Sequence, residues 1–224
     1  MLRRLLKSRS GVAATEFALA APFLLGFGLW GIETANLALT HMKVSQLAMH
    51  IADNASRIGD TSTLEDRKIF EEDVQDLLLG ANLQGGGSLD FFTHGRAMIS
   101  SLEVWDQSIL SGTARSDGPQ FIHWQRCKGV LPVDSSYGVE NSAQPNGMGP
   151  TGHEVIASED SPVIFVELVY EYQPLVSTAF VPGTRITATS AFMVRDSRDQ
   201  SQLYQRNAGA QIADCSIHDA FPPA

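Results

Sequence analysis

An uncharged run of 16 residues, Phe17–Ile32, constrains this chain more than any other feature. As an α-helix the run covers roughly 24 Å, at about 1.5 Å per residue, which is slightly less than the roughly 30 Å hydrocarbon core of a bilayer. Extension to residues 12–39 gives a spanning length and includes Glu16 and Glu33, one near each edge of the bilayer. A charge costs far less there than at the centre. The run therefore predicts a single membrane-spanning helix.

The flanking charges predict its orientation. Four basic residues and no acidic residue precede Gly11: Arg3, Arg4, Lys7 and Arg9. Because basic residues beside an apolar helix stay in the cytoplasm, we expect residues 1–11 to form a cytoplasmic leader and the chain beyond residue 40 to be exported. With 43% hydrophobic and 18% charged residues, the exported part is expected to be globular. The net charge of −9 repels phosphates, so nucleic acid is excluded as a partner.

A cleaved secretory signal peptide has a similar layout, with a basic start and an apolar centre. Two features count against this alternative. The apolar character resumes beyond Glu33, and a carboxylate, Glu16, opens the apolar run. Neither feature is typical of a signal peptide.

The residues around Gly11 resemble those of a known family. A short basic leader ends at Gly11, Glu16-Phe17-Ala18-Leu19 follows five residues later, and Pro22 lies in the apolar run. This pattern resembles the TadE/TadF-like minor pilins, or pseudopilins, of tight-adherence (Flp, type IVb) pili. The resemblance covers about residues 3–40 and is loose in the remainder of the chain.

The resemblance implies a non-enzymatic role in assembly of such a pilus or its secretion machinery, from the bacterial inner membrane with a periplasmic C-terminal domain. It implies cleavage between Gly11 and Val12 by the prepilin peptidase, and pairing of Glu16 with the new N terminus. The other implied partners are further pilins or pseudopilins, the inner-membrane assembly platform and membrane lipid. Two alternatives remain open: Glu16 lies at headgroup depth in contact with water, or the chain is a periplasmic binding or sensory domain on an uncleaved anchor.

The apolar helix is predicted to continue as an amphipathic helix over residues 12–58, because apolar residues recur there at three- and four-residue steps. The alternative is two helices with a break near residues 31–34. Pro22 removes a backbone donor and predicts a kink or a loosened turn. Glu33 reaches the outer headgroups or hydrogen-bonds a neighbouring helix. Small residues that allow close helix packing form one stripe: Ala14, Ala18, Ala21 and Gly28.

Residues 59–194 are predicted to form an α+β domain of pilin-like type, an antiparallel sheet packed on the helix. A capping signature, Ser62–Glu65, starts a second helix that ends at Gly80, and a flexible connector follows at residues 84–88. Alternating patterns predict strands over residues 96–105, 121–127, 163–172 and 185–194. Glu167 and Glu171 mark a solvent-exposed face of the third strand. The long loop 128–162 is interpreted as a partner-binding surface or a mobile segment.

Two cysteines, Cys127 and Cys215, lie in the part predicted to be exported. In an oxidising compartment they predict one disulfide, which pins the polar tail 195–224. Together with His123 and His218 they also match the ligand types of a zinc site, which remains an alternative beside unpaired thiols. The sequence contains no assembled catalytic set and no convincing cofactor motif. We therefore expect a protein that is not an enzyme and has no cofactor.

Overall fold

A computed structural model describes residues 10–60, 66–105, 120–158, 161–181, 183–195 and 197–221. Leader residues 1–9 and the capping signature Ser62–Glu65 therefore lie outside the described residues. The chain divides into two compact units. The anchor unit consists of Met1–Thr40 and Gln173–Thr184, and the domain unit of His41–Tyr172 and Arg185–Ala224. The fold is α+β, with a long N-terminal apolar helix and a four-stranded antiparallel sheet.

Helix α1 is one continuous helix of 46 residues, Ser10–Ala55. It passes through residues 31–34, so the prediction of a single helix is confirmed and the alternative of two helices is wrong. Pro22 lies within the helix, which continues past it even though proline lacks the N–H for one intrahelical bond. The helix ends at Ala55, three residues before the predicted end, and a turn follows.

Within the domain unit, α1 buries one stripe of apolar side chains. The members of this stripe recur at steps of three and four residues, as the sequence predicts for a packed helix face. Complete burial of a Leu or Ile side chain contributes about 1.5–3 kcal/mol, so the stripe is a substantial part of the core. The buried residues are Val44, Leu47, Ala48, Ile51, Ala52 and Ala55.

Helix α2, Glu71–Leu89, differs from the prediction at its C-terminal end. It continues past Gly80, and the predicted connector 84–88 contains a kink that joins two helical segments. Only Gly86 departs from helical geometry, with φ 62° and ψ 173°. Glycine disfavours a helix by about 1 kcal/mol relative to alanine. Burial of Val74, Leu78 and Leu89 along the helix offsets that cost.

The short helix α3, Phe91–His94, leads into the sheet. The four strands are β1 (Gly95–Val104), β2 (Gln120–Lys128), β3 (Val163–Glu171) and β4 (Arg185–Met193). Each lies within one or two residues of its predicted bounds. The order is β2-β1-β3-β4, and all neighbours are antiparallel, including the β3–β4 pair that the sequence predicts.

The loop 128–162 packs on one face of the sheet, and its role as a partner-binding surface or a mobile segment stays a prediction. Met148 and Ala157 from the loop are buried in a cluster with Leu102 of β1 and Phe165 of β3. On the same face Glu167 is only 1% exposed, so its assignment to a solvent-exposed face is wrong. Its carboxylate accepts hydrogen bonds from Ser135 Oγ at 2.8 Å and from the backbone N–H of Ser136 at 3.0 Å. The loop thus supplies the donors that allow this charge to be buried.

Helix α2 lies against the opposite face, where two polar contacts connect it to the strands. Arg126 of β2 donates from Nε to both oxygens of Glu71, at 2.9 and 3.1 Å. Burial alone would lower the pKa of the Arg126 guanidinium, but its hydrogen bonds to Glu71 raise that pKa above its ordinary value. At the other end of α2, Tyr170 of β3 donates its hydroxyl to the carbonyl of Leu89 at 2.9 Å.

The tail is part of the domain unit. Cys127 and Cys215 form a disulfide, which confirms the predicted pairing. Contacts on both sides of Cys215 add to it: the Cys127 N–H donates to the Ala213 carbonyl at 2.8 Å, and Lys128 Nζ lies 2.7 Å from Asp219 Oδ2. The disulfide therefore acts together with a network of polar contacts that the sequence did not predict.

Candidate membrane anchor and processing site

The first half of α1 has its apolar side chains on the outside. Phe17, Phe23 and Phe27 are each 69–70% exposed, and Leu24 is 68% exposed. The helix is long and apolar enough to cross a membrane, with a mean hydropathy of 1.7 over its best 18-residue window, none of which is buried. The core helix of a water-soluble protein would be mostly buried instead. The length, composition and exposure of the helix are those of a helix that could span a membrane, which supports a membrane anchor.

The predicted processing site forms the first turns of this helix. Gly11, Val12, Glu16 and Phe17 are all exposed. Among the described residues, no atom beyond the chain neighbours and the local helix backbone lies within 4 Å of a Cβ placed on Gly11. The internal packing of the described residues thus leaves this stretch accessible. Cleavage after Gly11 stays a prediction.

The stripe of small residues is also on the surface of the anchor unit. Ala14, Ala18 and Gly28 are exposed, and Ala21 is half-buried. The position of a Cβ on Gly28 meets no atom within 4 Å. The stripe thus remains open to a neighbouring helix, and such packing stays a prediction.

The carboxylate of Glu33 has partners that neither expectation named. It is 0% exposed. It accepts hydrogen bonds from three successive backbone N–H groups, those of Leu175 at 3.2 Å, Val176 at 2.6 Å and Ser177 at 3.3 Å. Among the described residues of the anchor unit, Glu33 is the only one that is buried. The sequence analysis did not predict this contact. The signal that could have indicated it is the absence of charge in residues 173–184, between the last two strands.

The segment held by Glu33 continues into a 3₁₀ turn, Thr178–Phe180. Ser177 caps this turn by accepting a hydrogen bond from the Ala179 N–H at 3.2 Å. Phe180 then contributes to an apolar groove of about 300 Å³ along α1. The other lining residues are Pro22, Phe23, Gly26, Phe27 and Trp30.

The chemistry of the anchor unit suits insertion and helix packing. Its outer surface is apolar, and its one buried carboxylate is hydrogen-bonded within the unit. Comparison of the chain with protein-family models, curated proteins and solved structures finds no match.

The alternative zinc set in the domain unit is wrong, because both thiols are used in the disulfide. His123 has another partner: its Nδ1 lies 2.8 Å from Oε2 of Glu103. His218 is exposed. Within the described residues, no group of three or more His, Cys, Asp or Glu side chains is arranged to hold a metal ion.

Proposed function

We propose that this chain is a TadE-like minor pilin or pseudopilin that takes part, without catalytic activity, in assembly of a tight-adherence pilus or its secretion machinery. The observation that supports this most strongly is the construction of α1. The helix is exposed and apolar directly behind the motif Gly11…Glu16-Phe17, and it carries a buried apolar stripe within an α+β domain. One helix is thus suited both to a bilayer or helix bundle and to the core of a folded domain.

The proposed role of Glu16 follows from the chemistry of cleavage. Cutting after Gly11 removes the basic leader and creates an α-ammonium group at Val12, which is mostly protonated at neutral pH. Glu16 is four residues from Val12, and side chains at this spacing lie on the same helix face. In lipid, an ion pair offsets part of the desolvation that each charge would suffer alone. Glu16 therefore pairs with the N terminus of its own subunit or of a neighbour.

The proposed partners follow from the same resemblance. The prepilin peptidase processes the chain, other pilins pack against the small-residue stripe, and the inner-membrane assembly platform receives the subunit. The domain unit lies in the periplasm, an oxidising compartment in which a disulfide such as Cys127–Cys215 persists.

The experiment that tests the proposal measures the N-terminal residue and mass of the protein from a cell with an active prepilin peptidase. Wild-type protein should begin at Val12. Gly11→Ala should leave the full-length precursor in the membrane. Gly31→Ala is the matched control, because it makes the same change at another exposed helical glycine with free space around it. It should be processed normally.

Assembly is tested separately by co-purification with other pilins. Glu16→Ala should insert and be cleaved but co-assemble poorly, whereas the neighbouring Thr15→Ala should assemble as the wild type does. Wild-type protein that retains Met1 or Leu2 would contradict the processing step. Normal co-assembly of Glu16→Ala would contradict the proposed role of Glu16, and a wild-type protein that does not co-purify with other pilins would leave the alternative of a binding or sensory domain on an anchor.

A further inference from the structure

The connection between β3 and β4 has an unusual composition. Twelve of its thirteen residues, Gln173–Thr184, form a segment that contains no charge, in a chain of which 18% of residues are charged. Hairpin loops commonly need only two to five residues, so this loop is longer than the turn requires. It belongs to the anchor unit together with the first part of α1, and not to the unit that contains the strands it connects.

Glu33 fastens this segment to α1. Its carboxylate accepts hydrogen bonds from the successive N–H groups of Leu175, Val176 and Ser177. Bonds to an ionised acceptor are stronger than neutral ones. In a bilayer, an unpaired carboxylate and three unpaired N–H groups would each be costly, since no water is available to satisfy them. Their pairing removes both costs and makes the segment compatible with lipid.

The apolar side chains of the segment are on its surface and close to the apolar run of the helix. Leu175 is 67% exposed and Val176 is 39% exposed. Phe180 contributes to the groove that extends along α1 from Trp30 to Pro22. Gly26, which also lines the groove, precedes Glu33 by seven residues, or about 10 Å along the helix axis. Phe180 therefore lies beside the uncharged run and not beyond its end.

We propose that segment 173–184 is a second membrane-contacting element, which enters the lipid beside α1 on the leaflet opposite the basic leader and is fastened there by Glu33. The occupant of its exposed surface is lipid, because that surface is uncharged and continuous with the apolar surface of the helix. Aromatic residues such as Trp30 are typical of the edge of the hydrocarbon region. The proposal requires α1 to lie in a bilayer, but it does not depend on the pilin assignment.

The test uses the full-length protein reconstituted at high dilution in phosphatidylethanolamine–phosphatidylglycerol vesicles. A nitroxide is attached at Leu175→Cys, and its collision rates with oxygen, which enriches in lipid, and with a water-soluble nickel chelate are measured. The native cysteines are bonded to each other and do not react. Two matched controls carry the label at similarly exposed apolar positions: Phe23→Cys in the anchor helix, at 69%, and Val139→Cys in the domain unit, at 59%.

We expect the label at residue 175 to behave like that at residue 23, with an oxygen-to-nickel collision ratio several-fold higher than at residue 139. A ratio at residue 175 equal to that at residue 139 would overturn the proposal. Shielding from both reagents at high dilution would also overturn it, because a protein neighbour would then cover the segment. A label at residue 23 that collides freely with nickel would remove the membrane anchor itself, and with it both this proposal and the proposed function.

The role of Glu33 is tested in the Leu175→Cys background. Glu33→Gln keeps the size of the side chain but replaces one acceptor oxygen by an NH₂ donor that faces backbone N–H groups. The collision ratio at residue 175 should fall several-fold, while the ratio at residue 23 stays unchanged. Thr34→Val, a change at the adjacent exposed residue, should leave both ratios unchanged. An unaltered ratio in Glu33→Gln would show that Glu33 does not hold the segment.

Discussion

The two units of this protein place their apolar side chains in opposite ways. In the domain unit, Ile99, Leu102 and Val166 are completely buried. In the anchor unit, phenylalanine and leucine side chains are exposed, and the buried residue is a carboxylate, Glu33. This difference is expected if water surrounds the domain unit and lipid or other helices surround the anchor unit.

Buried carboxylates are treated alike in both units. Glu167 accepts hydrogen bonds from two successive serines of the loop 128–162, and Glu33 accepts three backbone N–H bonds from residues 175–177. A buried charge without partners costs several kcal/mol, so each site requires donors from another segment. In both units, therefore, a buried carboxylate accepts hydrogen bonds from a segment that is distant in the sequence.

The largest expected effect concerns the domain unit alone. Replacing both Cys127 and Cys215 by alanine opens a loop closure of 88 residues and should destabilise the domain by about 2–5 kcal/mol. Membrane association should be unchanged, because the disulfide lies outside the anchor unit. Denaturant unfolding of the full-length protein in detergent, followed by tryptophan fluorescence, measures the first effect, and membrane flotation measures the second. Loss of membrane association in this variant would show that the anchor depends on the domain.

A smaller effect is expected when the same substitution, an exposed leucine to arginine, is made in both units. It tests directly whether exposed apolar side chains have different surroundings in the two units. Leu24 of the anchor and Leu83 of the domain are 68% and 70% exposed. Leu24→Arg places a charge near the centre of the apolar run, which costs about 2.5–3.5 kcal/mol in membrane insertion. Leu83→Arg meets water and should change stability by no more than about 0.5 kcal/mol. Carbonate-resistant membrane integration should fall strongly in the first variant only; equal behaviour of the two would remove the contrast.

The smallest expected effect separates close packing from backbone strain within the domain. Gly147 and Gly152 both have φ +85°, so alanine at either position costs about 1–2 kcal/mol in strain. A Cβ at Gly147 would lie 2.2 Å from the Val155 carbonyl oxygen, whereas none of the described surroundings lie within 4 Å of one at Gly152. Gly147→Ala should therefore have the lower unfolding midpoint. Equal midpoints would indicate that the loop 128–162 is not packed as described.

Much of the fold follows from short-range patterns. The apolar run and the amphipathic stripe predicted one helix through residues 31–34, and alternating patterns predicted four strands to within two residues of their bounds. These features depend on neighbours a few positions apart, which the sequence displays directly. The disulfide was also predictable, because the sequence contains two cysteines, which can form a single pair.

The tertiary structure alone decided what each charged or glycine-rich stretch contacts. The glycines at 85–87 look like a linker, yet in the fold they form a kink at Gly86 between two helical segments of α2. Glu33 looks like a residue for headgroups or a second helix, yet its donors are 142 to 144 residues away in the sequence. Local propensity cannot specify such a partner, because hydrogen bonding depends on which distant backbone the fold brings within hydrogen-bonding distance. The sequence shows that residues 173–184 are uncharged, but only the tertiary structure shows that they belong to the anchor unit.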